Sequence, residues 1–89
     1  MAQIQQSGTP VNLSASGTVS LQPGSLLGYH VNTTSGGTIV VRNGGSGGTA
    51  LNAAVAPGVG FTAFPAYCPS GCYATIAGTI DVTFFFAAG

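Results

Sequence analysis

The sharpest chemical feature of the chain is Cys68-Pro69-Ser70-Gly71-Cys72, two thiols separated by three residues. A three-residue hairpin loop commonly runs as a type I turn followed by one left-handed residue. Pro69 suits the first turn position and Gly71 the left-handed one. In such a hairpin Cys68 and Cys72 face each other across the neck, within the Cα limit of about 7 Å for a disulfide. Closing so short a loop stabilises a fold by roughly 2 kcal/mol on the chain-entropy estimate. Three other states compete with a Cys68–Cys72 disulfide: two reduced, half-buried thiols, bridges to a neighbouring subunit, and a zinc site completed by His30 and Asp81. The zinc reading lacks the second ligand pair that such sites use.

The remaining titratable inventory is short. His30 lies between Tyr29 and Val31 on a strand pattern and reads as an outward or interface imidazole before it reads as a base. Arg42 and Asp81 are the only charged side chains. They can pair with each other, worth at most about 1 kcal/mol if exposed, or fix register between subunits. General acid–base catalysis uses two titratable groups with separated pKa values, and Asp81 is the one carboxylate side chain. The expectation is therefore no enzyme, no cofactor and no metal. The glycine-rich run Asn43–Gly48 lacks the lysine of a phosphate loop and is followed by no helical pattern. It reads as a hairpin loop.

The elements that position these residues are all strands. The chain has no Glu and no Lys, and its 15 glycines and 5 prolines recur every few residues. Val, Ile, Thr, Tyr and Phe fill the segments between them, which is strand chemistry. Candidate strands are Gln3–Gln6, Val11–Ser14, Gly17–Leu21, Leu26–Asn32, Thr38–Arg42, Leu51–Val55, Phe61–Tyr67, Cys72–Ala77 and Thr79–Phe86. Gln22-Pro23-Gly24, Ser35-Gly36-Gly37, Pro57-Gly58 and Gly78 separate them. Leu27, Tyr29 and Val31 share one face of their strand, and Ile80, Val82, Phe84 and Phe86 one face of the last. Most aromatic residues belong to the core, with Phe85 on the opposite face as a subunit contact. The pattern predicts an all-β, two-sheet sandwich, jelly-roll-like, with about seven to eight short strands. Residues 1–10 are an N-terminal arm or edge strand, and 11–89 a single domain.

Charge bounds the partners. Charged residues make up 2% of the chain, against about 25% in ordinary soluble domains. One arginine cannot supply the basic footprint that nucleic acid requires, and an anionic membrane surface is as poorly matched. No apolar run approaches the ~20 residues of a membrane-spanning helix, and no signal-peptide pattern opens the sequence. Net charge near zero favours association, and many glycines make a lone monomer marginal. The chain is expected to act as a binding or structural subunit among other chains.

The stretches Leu27–Thr34 (Leu-Gly-Tyr-His-Val-Asn-Thr-Thr), Gly37–Gly44 (Gly-Thr-Ile-Val-Val-Arg-Asn-Gly), Gly48–Leu51 and Gly78–Phe84 resemble small jelly-roll proteins of tailed-phage particles. The resemblance runs from about Gly24 to Phe86, through short β-rich patterns. It implies a virion component that decorates or cements the capsid as a homotrimer docked on the major capsid protein. Such a protein assembles in the host cytoplasm and stands on the capsid exterior. Gln3, Ile4 and Gln5, adding a strand to a neighbour, together with Arg42, Asp81 and Phe85, are the candidate subunit or shell contacts. The alternative is a tail fibre, baseplate or receptor-binding module that takes a host-surface glycan through Tyr or Phe side chains.

Overall fold

The computed structural model describes residues 9–88. Six strands follow one another: β1 Thr9–Leu13, β2 Gly17–Ser20, β3 Gly24–Asn43, β4 Thr49–Ala50, β5 Gly60–Cys68 and β6 Cys72–Ala88. All pairings are antiparallel and all six strands join one hydrogen-bonded sheet. The fold is all-β, as the composition indicates, and the described residues form six strands where seven or eight short ones were expected of the chain. The difference arises at two glycine breaks that the chain crosses without leaving the ladder. Gly36 (φ 73°) and Gly78 (φ 76°) both take left-handed backbone, which only glycine adopts at little cost. They sit together: a Cβ on Gly78 would lie 2.9 Å from the Gly36 carbonyl oxygen. Glycine here bends two long strands instead of ending four short ones.

The frame is the ribbon of β3 against β6. β3 has 20 residues and β6 has 17, and the three extra residues enter as irregularities at Leu26/Gly28, Val31/Thr33 and Ser35/Gly36. Each bulge bends its strand and increases the local twist. A straight 20-residue strand would span roughly 66 Å, whereas the longest dimension of the molecule is 44 Å. The register shows how far the ribbon doubles back. One end of β3, Gly24, pairs with Cys68, and the other end, Asn43, pairs with Cys72. Only Pro69-Ser70-Gly71 separates those two cysteines, so the ends of the longest strand meet at one corner.

Doubling the ribbon puts its inner surface around one core, the packing of a β-sandwich. Leu26, Tyr29, Val31, Ile80, Val82, Phe84 and Phe86 from one arm join Ile39, Val41, Ala74, Cys72 and Val19 from the other in a single cluster. The expected alternation of Ile80, Val82, Phe84 and Phe86 is present, all four buried. The expected Leu27 face is not. The bulge after Leu26 shifts the phase of β3, so Leu26 is buried beside Tyr29 and Val31 while Leu27 is half-buried.

Short strands flank the ribbon. β1 and β2 pair only with β6, and β4 and β5 only with β3. The expected strand Leu51–Val55 is replaced by side-chain pairing. The Asn52 carboxamide accepts from the Val41 N–H (2.7 Å) and donates to the Ile39 carbonyl (3.2 Å). Val55 then forms a single bridge to Ile39. An amide side chain thus stands in for the backbone along this edge of β3. The candidate strand Gln3–Gln6 lies outside the described residues.

Gly37 is buried beneath β6, and a Cβ there would run into Ile80 Cβ, with the Thr79 carbonyl oxygen 2.8 Å away. Gly37→Ala is expected to lower stability by about 1–3 kcal/mol, the usual cost of overpacking. Gly45→Ala, which meets nothing within 4 Å, should change it by less than about 0.5 kcal/mol. Urea denaturation of the two variants measures the difference.

Candidate functional site

The face of β6 opposite Phe84 carries Asp81, Thr83 and Phe85. Register brings Asn12 of β1 and His30 of β3 beside Thr83, and Phe61 of β5 beside His30. Four strands therefore contribute to one outward surface. The Asn12 amide donates to Asp81 Oδ1 (2.7 Å) and to Thr83 Oγ1 (3.1 Å). The Asn32 amide donates to Thr83 Oγ1 (3.1 Å) and, at 3.5 Å, to Asp81 Oδ1. His30 Nδ1 lies 3.2 Å from Asn32 Oδ1. Because Asn32 spends its NH2 on Thr83 and Asp81, its Oδ1 is an acceptor. His30 Nδ1 must then carry the proton, which in the neutral ring leaves Nε2 as an acceptor. The result is an exposed belt of neutral donors and acceptors around one carboxylate.

Beside that belt lies an aromatic pair. The rings of Phe61 and Phe85 sit 6.1 Å apart and tilted by 56°. Gly28 makes the contact possible, since a Cβ there would stand 2.7 Å from Phe61 Cζ. Phe85 faces away from the core, as the alternation requires, and is half-buried against Phe61. Two other aromatic assignments change. Phe61 (59% exposed) and Tyr67 (61%) are on the surface, whereas Tyr29, Phe84 and Phe86 are core. Leu21 (84%) and Val59 (68%) are also exposed, so apolar side chains mark both ends of β5, whose outer edge is unpaired among the described residues.

Arg42 and Asp81 do not pair. Asp81 is met by the two asparagine amides. Arg42 Nε donates to Thr75 Oγ1 (2.9 Å), and its Nη1 donates to the Gly48 carbonyl (3.1 Å). The arginine pins the glycine-rich loop to the sheet, a local role that its lone charge did not suggest. That loop, Gly44–Gly48, also spells Gly-x-Ser-x-Gly around Ser46, a motif expected to be absent from the chain. A nucleophile elbow needs a strand-to-helix turn, and this loop joins β3 to β4. Among the described residues no three His, Cys, Asp or Glu side chains gather as metal ligands. The candidate contacts Gln3, Ile4 and Gln5 lie outside the described residues.

Cys68 and Cys72 are free thiols with no exposed surface. The turn between them is the expected one: Gly71 is left-handed (φ 96°) and its N–H reaches the Cys68 carbonyl (3.3 Å). Its setting differs from a hairpin neck, because β5 and β6 do not pair with each other. The corner carries the chain from one arm of the ribbon to the other, held by Ser70 N–H to Asn43 Oδ1 (2.9 Å) and Gly44 N–H to the Gly71 carbonyl (2.9 Å). Burial pushes the Cys72 thiol up to about 12, reinforced by the charge and hydrogen bond of Cys68 beside it. Burial also raises the Tyr29 phenol, with a Thr62 hydrogen bond acting the other way.

No protein-family model matches the sequence, and no curated protein or solved structure matches it either.

Raised acid pKa values in the folded state make alkali destabilising, because the unfolded chain releases its proton first. For Cys72 the contribution is intact below about 9, the ordinary thiol value, and is lost as pH rises toward about 12. The reduced protein should therefore lose stability across that window, by up to about 1.4 kcal/mol per pH unit from this group. Cys72→Ala should have a shallower alkaline slope than the parent chain, read from urea midpoints at successive pH values.

Proposed function

We propose that this chain is a structural subunit of a tailed-phage particle, a jelly-roll-like capsid decoration protein. In this reading it assembles as a homotrimer, docks onto the major capsid protein from outside and stabilises the head. The observation that carries the reading is the exposure of Leu21, Val59, Phe61 and Tyr67 around the open edge of β5 on a nearly uncharged domain. Unpaired strand edges and exposed apolar side chains favour association with other chains. Near-zero net charge removes the repulsion that keeps solitary domains apart. The resemblance of the Gly24–Phe86 region to phage jelly-roll proteins supplies the particular particle. Docking works by area: each apolar side chain covered contributes roughly 1.5–3 kcal/mol, multiplied over the copies of an oligomer.

A second reading is a glycan-binding module of the tail, favoured by the belt Asn12, His30, Asn32, Asp81 and Thr83 beside Phe61. Amides and a carboxylate can bond saccharide hydroxyls, and an aromatic ring can stack on a sugar face.

Light scattering should find an oligomer, with a trimer expected, and the protein should bind shells that lack it. Leu21→Ser and Tyr67→Ser, both at strongly exposed positions, should each weaken shell binding by roughly 10–100-fold with unchanged thermal unfolding. A stable monomer with no shell affinity would remove the decoration reading. For the second reading, titration with neutral cell-wall oligosaccharides should give saturable binding that Asp81→Asn weakens by about tenfold. Absence of binding at millimolar sugar would end it.

A further inference from the structure

We propose that Cys68 and Cys72 are a redox-modification site, at which a low-molecular-weight disulfide installs an intramolecular disulfide that staples the closure of the doubled ribbon. The two thiols lie at the place where Gly24 and Asn43, the ends of β3, come together. Both side chains are fully buried, and each is the other's neighbour across a three-residue corner whose turn bond, Gly71 N–H to the Cys68 carbonyl, already fixes the geometry. A bond between them would join the end of β5 to the start of β6. It would thereby cross-link the turn that carries the chain from one arm to the other, adding to the hydrogen bonds Ser70 N–H to Asn43 Oδ1 and Gly44 N–H to the Gly71 carbonyl.

The chemistry is two successive thiol–disulfide exchanges. Cys68 loses its proton and its sulfur attacks one sulfur of the small disulfide. The S–S bond of the reagent breaks, a mixed disulfide forms on Cys68, and one small thiol leaves with a proton. Cys72 loses its proton, its Sγ attacks Cys68 Sγ, the mixed S–S bond breaks, the protein disulfide forms, and the second small thiol leaves with that proton. Two protein thiols are oxidised and one small disulfide is reduced. Once Cys68 is capped, it no longer opposes ionisation of Cys72 by charge or hydrogen bond, the two lesser causes of its raised pKa. The reagent cannot reach either sulfur in the closed corner, so opening of the corner gates the first step. The same burial protects the finished staple from reduction. This inference is independent of where the domain docks.

The test treats the reduced native protein with oxidised glutathione at mildly alkaline pH, traps free thiols by alkylation, and follows products by intact mass and peptide mapping. The expected product is a monomeric chain short of two hydrogens, with Cys68 and Cys72 in one cross-linked peptide. Sub-denaturing urea should accelerate its formation by roughly tenfold, since it populates the open corner. The oxidised protein should unfold roughly 10 °C higher than the reduced one. Cys68→Ala and Cys72→Ala should each stop at a glutathione adduct or remain unmodified. Disulfide-linked dimers, a persistent glutathione adduct on the parent chain, a rate indifferent to urea, or an unchanged melting temperature would each overturn the proposal.

Discussion

The structure depends on a mismatch in length between two paired strands. β3 is three residues longer than the partner it lies against, and every extra residue is a local irregularity. A pair of equal, regular strands would form an open twisted ribbon with one face bare to water. Bulges and the glycine bend at Gly36 and Gly78 curl this ribbon until its own inner face covers itself. Coverage matters more than strand count for a domain of 89 residues, because small chains bury a modest share of their surface. The apolar side chains of both arms then serve one core instead of two exposed faces.

Much of this follows from residues that can be read in order along the chain. Ile80 to Phe86 alternates without interruption, and its buried face is the one the alternation requires. β3 is less legible. Its alternation is reset wherever a bulge adds a residue, so Leu27 reads as core and Leu26 does not, until the partner strand is known. Ser35-Gly36-Gly37 and Gly78 look like stops because glycine usually punctuates strands. Only their mutual proximity makes them a shared bend. Asn52 reads as a surface residue within a weak strand, yet its carboxamide replaces backbone hydrogen bonds. Nothing in composition distinguishes those roles.

The outward polar belt was illegible for a different reason. Asn12, Asn32 and Thr83 are ordinary residues in the sequence, and the bonds among them and Asp81 span 49 to 71 positions. Asp81 was visible as the one carboxylate, but a lone charge on a neutral chain invites pairing with the one arginine. The fold instead gives each charge to neutral partners: amides for the aspartate, a hydroxyl and a carbonyl for the arginine. Phe61 and Tyr67 show the converse limit. Hydrophobic type alone argues for the core, while the edge strand β5, with one neighbour, leaves two of its three aromatic residues outside.

The pairing scheme has a consequence for how the polypeptide reaches this state. β1 and β2 have no ladder partner except β6, and β3 spends its full length against it. β1, β2 and β3 therefore wait for the seventeen-residue β6, which follows them in the chain, before they can form most of their hydrogen bonds. Pairings between residues so far apart in sequence carry a large loop-closure entropy and fold slowly. During that interval Val31, Ile39 and Val41 have no cover, and neighbouring nascent copies compete with β6 for the same edges. The edges of β1, β2 and β3 thus stay open to other chains until β6 is in place.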